Sequence, residues 1–147
     1  MAKISRTRSG SIGERWIIAG CGLAAIGVAF GALGAHALKD WLPEHFPDDF
    51  AKRFDNWETA VRYQMYHALA LIMIGLTTVV RSSFRNIAAC FMLIGVLLFS
   101  GGLFGWVLFD VKPLVHAVPV GGIFLIISWI AFATGFIIRE RTGDEDA

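Results

Sequence analysis

Three stretches of this chain, residues 16–38, 87–109 and 114–138, each run for more than twenty residues without a formal charge. A helix rising 1.5 Å per residue needs about 20 mostly apolar residues to cross the hydrocarbon core of a bilayer. All three therefore qualify as spans. A fourth stretch, 60–80, is apolar except for Arg62 and a short polar run near its start. Charged residues make up 17% of the chain, against about 25% in soluble domains, and they collect between these stretches. The pattern predicts an all-α membrane protein: a four-transmembrane-helix bundle forming a single domain over residues 1–147, with no separate soluble module.

Residues 81–86 and 110–113 are expected to be tight turns. The one long connection, 39–59, holds Pro43 and Pro47, which break helices, followed by Asp48 and Asp49, which can cap a new one. Beyond that cap Phe50, Phe54, Trp57 and Val61 form an apolar stripe, with Lys52, Arg53, Asp55 and Glu58 off it. This reads as a short amphipathic interfacial helix between spans 1 and 2, or as an outward extension of span 2. Ala35-His36-Ala37 matches a cleavage pattern, but the apolar stretch before it is longer than the roughly 7–15 residues of a signal-peptide core. The acidic tail Thr142–Ala147 is expected to fray.

An even number of spans puts both termini on one side. That side carries 8 of the 13 Lys and Arg residues, so both termini are expected to be cytoplasmic, in a multi-pass protein of the cell (inner) membrane. The net charge of +1, with no basic stripe among aromatics, argues against nucleic acid as a partner. Cys21 and Cys90, each inside an apolar run, are expected to be buried, reduced thiols.

Helices in lipid associate through close packing, so small residues mark contact faces. Gly20, Ala24, Gly27, Gly31, Gly34 and Ala35 share one side of the first span, and Ala25, Ala29, Ala32 and His36 the opposite side. The first span is therefore expected to pack on two faces, at the centre of the bundle. Gly101 and Gly105 form a GxxxG, and Gly121 and Gly122 follow Pro119, offering further close contacts.

Polar groups inside a span are costly and should face protein or the interface. On the second span Ala60, Tyr63, Gln64, His67, Ile74 and Thr78 share a face, with Glu58, Arg62 and Tyr66 beside it. Glu58 and Arg62, four residues apart, are spaced to pair. With the span starting at 60, His67 falls about 10 Å inside its outer end, near the layer of Ser100. Pro119 also frees the carbonyl of Val115 there. Two readings follow. His36, Glu58, Arg62, Tyr63, Gln64, His67 and Ser100 form a polar cluster open to the outer leaflet, or His67 donates to Ser100 or a freed carbonyl and holds helices in register.

No HxxxH occurs, and no carboxylate joins His36, His45 or His116 within a span, so no metal, haem or other cofactor is predicted. No Asp or Glu lies in any span, which argues against proton-coupled antiport. Ser100 with His67 is the one conceivable nucleophile–base pair, and no acid orients it, so no catalytic residue is assigned.

Four motifs carry a resemblance: Gly31-Ala-Leu-Gly-Ala-His-Ala-Leu-Lys39, Trp57-Glu-Thr-Ala-Val-Arg-Tyr-Gln-Met-Tyr-His-Ala-Leu-Ala-Leu71, Phe99-Ser-Gly-Gly-Leu-Phe104 and Pro119-Val-Gly-Gly122. From Gly20 to Trp129 the chain resembles the small membrane family known as domain of unknown function 423, which includes proteins resembling transmembrane protein 256. Where that family's pattern reads Ser-Gly-Ser-Leu-Tyr, this chain has Ser100-Gly-Gly-Leu-Phe104, two hydroxyls fewer. The resemblance implies a four-span fold and no particular activity. The leading expectation is a non-enzymatic accessory or stabilising component of a membrane assembly, partnered by the lipid bilayer and by further copies of itself or a larger membrane complex. The alternatives are a lipid-, quinone- or haem-binding protein using the cluster around His67, and a passive oligomeric pore.

Overall fold

The structure, a computed structural model, describes the backbone of residues 8–144 and the side chains of 13–138. Lys3 and Arg6 of the charge tally, and Glu145–Ala147 of the acidic tail, lie outside the described residues. The described chain is all-helical. α1 (Arg8–Leu33) passes through a π-turn (Gly34–Leu38) into the short α2 (Lys39–His45); α3 (Phe50–Leu76), α4 (Ser82–Phe109) and α5 (Pro113–Asp144) follow. Among the described residues three helical stretches are long and apolar enough to cross a membrane: Gly13–His45, Ser82–Phe109 and Pro113–Ile138.

The segment 39–59 differs from expectation. Pro43 sits inside α2 and gives up the bond to the Lys39 carbonyl without ending the helix. The stop comes at Phe46, whose φ of −137° leaves the helical region ahead of Pro47, where a helical conformation is disfavoured. Residues 50–59 are the first turns of α3, which runs without a break through residue 60. At its other end α3 stops at Leu76, not 80, and the turn is residues 77–81, not 81–86. The run Thr77-Thr78-Val79-Val80 is apolar enough to extend a hydropathy window, but its β-branched side chains disfavour helix. Asp110 takes the left-handed conformation (φ 53°) that closes α4.

α1 packs along α3, α3 along α4, and α4 along α5, each pair antiparallel; other pairs of long helices touch only lightly. The polar α3 is therefore internal and α1 lies at an edge, which overturns the expected central place of the first span. Only 17% of the most apolar stretch of α1 is buried, against 50% for α4. The face of α1 that meets α3 is a glycine seam spaced by seven: Gly13, Gly20, Gly27 and Gly34. A Cβ on Gly20 would stand 2.7 Å from the Ala68 carbonyl oxygen, and one on Gly34 would stand 2.7 Å from Trp57 Nε1. Seven-residue spacing keeps one seam facing its partner in a left-handed pair. Between α4 and α5 the backbones come closest at Gly121, where a Cβ would lie 2.5 Å from the Phe99 nitrogen.

One core cluster, around Leu71, Ile74, Met92, Val96 and Leu125, fills the half toward the α3–α4 turn. A second, around Leu42, Trp57, Leu103 and Val107, fills the half toward the α4–α5 turn.

Candidate functional site

Sequence placed Arg53 off the apolar stripe of an interfacial helix, yet it is densely partnered inside the bundle. It is 3% exposed. Its Nε donates to Asp49 Oδ1 at 2.8 Å, Nη1 donates to the Trp106 and Val107 carbonyls at 3.0 and 3.3 Å, and Nη2 donates to Asp110 Oδ1. Its guanidinium also stacks 3.7 Å from the centre of the Phe46 ring. The Trp106 carbonyl also accepts the Asp110 N–H at 3.0 Å, which closes α4, and a cation suits that negative end of the helix dipole. The hydrogen bond from Arg53 holds the Asp110 carboxyl below its ordinary range, against a smaller opposing effect of desolvation. At the opposite end Arg85, also buried, donates to the Thr77 carbonyl just past α3.

The expected polar cluster divides. Gln64 is buried against α1, its Nε2 donating to the Leu23 carbonyl at 2.8 Å. Trp57 Nε1 makes the parallel bond to the Phe30 carbonyl at 2.9 Å. His67 turns toward α5. Its Nδ1 lies 2.8 Å from the Tyr63 carbonyl, which only accepts, so Nδ1 carries the proton and Nε2 accepts from Trp129 Nε1 at 3.4 Å. Both imidazole nitrogens of His67 are thus engaged, within its own helix and by a tryptophan that sequence had not singled out.

Tyr63 stacks on Phe99 at 4.7 Å. Ser100 is buried with its Oγ unpartnered among the described residues, so it is not paired with His67. His36 is exposed on the edge of the bundle, away from His67.

The depth of His67 also changes. Arg53 reaches the end of α4, Trp57 meets Phe104, and Tyr63 meets Phe99. Continuing that antiparallel match puts His67 level with residues 95–96, the middle of α4. It lies about 20 Å along α3 from Arg53, at 1.5 Å per residue. The expected depth of about 10 Å was measured from residue 60, ten residues after α3 begins.

Glu58 and Arg62 lie apart from His67. With Lys39 they line a cleft of about 530 Å³ between the π-turn and α3. Phe54, Trp57 and Val61 form its α3 wall, and Gly31, Gly34 and Ala35 leave room on the other side. A smaller, mostly apolar lobe of about 230 Å³ continues past Lys39 to Leu42 and Phe50. Glu58 and Arg62 do not pair as their spacing allowed, and among the described residues no ion pair uses Lys39, Glu58 or Arg62.

Of the remaining glycines, Gly31 has ordinary clearance, a Cβ there standing 3.7 Å from Val61. Gly101 faces open space, and Gly122 only grazes the Phe99 ring. Gly105 lies against the Leu114 side chain, and its close-approach companion is Gly102, not Gly101. Among the described residues no three His, Cys, Asp or Glu side chains gather as a metal site would need. Cys21 and Cys90 are free thiols, exposed where burial was expected, because an apolar helix in a membrane protein can turn apolar positions outward.

Apolar helices that present aliphatic residues outward and turn their polar side chains inward define a small helical membrane protein. The chain belongs to the family described as protein of unknown function DUF423, whose model matches residues 30–122. It is 38% identical over 115 residues to a UPF0382 membrane protein of Staphylococcus aureus (strain bovine RF122), covering 78% of this chain and 88% of that one. A UPF0382 membrane protein of Staphylococcus saprophyticus is 33% identical over 120 residues, covering 82% and 94%. No solved structure matches.

Proposed function

We propose that the chain is a four-span, non-enzymatic component of an assembly in the cell membrane, with both termini cytoplasmic, and that it docks through α1. Support for α3 as the fourth span comes from its setting. Its 27 residues extend about 40 Å, and Trp57, Gln64 and His67 have partners on or inside the bundle. A helix whose polar groups are met by protein does not present them to lipid. The 8-of-13 division of Lys and Arg supports the orientation. Engaging Arg53 and Arg85 in the fold draws one residue from each side of that tally.

The observation that carries the docking reading is the outer face of α1. Gly22, Ala25, Ala29 and Ala32 follow one another at intervals of three, four and three, all are exposed, and a Cβ at Gly22 meets nothing within 4 Å. The next step of that spacing is His36, also exposed. Lipid tails accommodate bulky side chains as readily as small ones, whereas a neighbouring helix needs small ones for close approach. The opposite face of α1 is already filled by α3, so this strip is left for a helix from another chain.

The test is a single Ala29→Cys in a Cys21→Ser, Cys90→Ser background, oxidised in native membranes. A cross-linked product that Ala25→Leu abolishes is expected. A chain that stays uncross-linked, and whose size in mild detergent is unchanged by Ala25→Leu, would sink the docking reading.

A further inference from the structure

We propose that the cleft between the π-turn and α3 binds an anionic glycerophospholipid, its phosphodiester held by Arg62 and Lys39. Three observations lead there. The first is unpaired charge. Arg62 and Lys39 line one cavity with a single carboxylate, Glu58, and none of the three has an ion-pair partner among the described residues. Within this cavity two cations against one carboxylate leave one positive charge, which matches one phosphodiester; Asp55, a further carboxylate near Lys39, lines the adjoining lobe.

The second is depth. Arg62 precedes His67 by five residues, so its Cα lies about 7–8 Å from the mid-level of the bundle. On the four-span reading proposed above, the mid-level of the bundle is the bilayer centre. Half the hydrocarbon core is about 15 Å, so an arginine there starts below the polar boundary and must extend along the cleft toward it. Cationic side chains at such depths are rare and usually face a partner. Among the described residues no carboxylate pairs with Arg62, and a planar guanidinium fits a phosphate in bidentate fashion.

The third is shape. The cleft, about 530 Å³, has Gly31 on one side, where a Cβ would still clear Val61 by 3.7 Å, and Val61 and Trp57 give it an apolar wall. That volume is of the size ligand sites use. A charged mouth over an apolar wall suits an amphiphile whose headgroup meets the cations and whose first acyl carbons lie on Val61. A soluble anion would leave that wall bare.

The experiment uses the full-length protein, delipidated in an uncharged detergent and titrated with phosphatidylglycerol or phosphatidylcholine under native mass spectrometry. Phosphatidylglycerol is expected to bind about tenfold more tightly than phosphatidylcholine, with Arg62→Gln or Lys39→Gln each removing most of that preference. Lys52→Gln, outside the cleft, is expected to leave it intact. Lys39 and Arg62 are both exposed, so neither change empties a packed site, and melting in detergent verifies the fold. Arg62→Lys, which keeps charge but loses the fork, is expected to fall between. Equal binding of the two lipids by the unaltered protein would overturn the proposal. So would a preference that survives the Lys39→Gln, Arg62→Gln double change in a folded protein, or full displacement of the lipid by inorganic phosphate.

Discussion

α1 and α3 pack face to face along most of their lengths, yet they are opposites. α1 is apolar and largely exposed; α3 carries Arg53, Gln64 and His67 and lies between two neighbours. In a soluble protein the apolar helix would be the inner one. In lipid the surroundings are themselves apolar, so an apolar helix can stand at the edge, and the polar helix must be enclosed. α4, the most apolar helix at mean hydropathy 2.4, is internal beside α3, so hydropathy permits an outer place without assigning it.

The sharpest way to break this contrast is Arg53→Met. The change should cost about 2–3 kcal/mol, because it removes the charged donor shared by the Trp106 and Val107 carbonyls and leaves the buried Val107 carbonyl without it. Thermal melting in detergent measures it. An unchanged melting temperature would mean that the polar end of α3 is decoration.

The two faces of α1 give the next largest effect. Gly20→Ala pushes a Cβ against the Ala68 carbonyl and should cost about 1–3 kcal/mol. Gly22→Ala meets open space and should be neutral or stabilise by up to about 1 kcal/mol, through helix propensity. Two substitutions of the same kind, two residues apart, thus separate the seam from the outer strip. Equal melting shifts would refute the assignment of faces.

The smallest effect is on pH. Because the carboxyl of Asp110 is held below its ordinary range, its contribution is whole at neutral pH and is lost as pH falls through the folded-state value. Melting temperature should therefore decline on acidification below the usual carboxylate range. Asp110→Asn should decline less, though other carboxylates keep its slope from vanishing.

Much of this was legible beforehand, and the failures have physical causes. Uncharged length located the three apolar helices but not their ends: the first helical stretch starts at Arg8 and runs through the π-turn to His45, α4 starts at Ser82 and α5 runs on past 138. Glycine spacing located the α1 seam. The same small-residue logic wrongly gave α1 two neighbours within its own chain, because a strip built for a helix does not say whose helix. The end of α3 was misread because hydropathy does not register the β-branched stop at Thr77–Val80. Arg53 was missed because its main acceptors, Trp106, Val107 and Asp110, are more than fifty residues away and two of them are backbone atoms. The pairing of His67 with Trp129 was hidden for the same reason, being a contact across 62 residues.

The π-turn imposes a rule on how this chain can vary. Glycines step by seven down α1 to Gly34, but the buried line then continues through Leu38 to Leu42, eight residues on. The wider turn absorbs one residue more than an α-helix would. Loss of a single codon between 34 and 38 would let the segment close into regular α-helix. Leu42 would then stand seven residues after Gly34, the spacing of the seam above it, and would still face α3. The same loss inside α1, between Gly20 and Gly27, meets no wide turn and would rotate one half of the seam against the other by about 100°. Residue number acts like a reading frame along this helix, and residues 34–38 are a place where the chain can give up one residue and keep its faces.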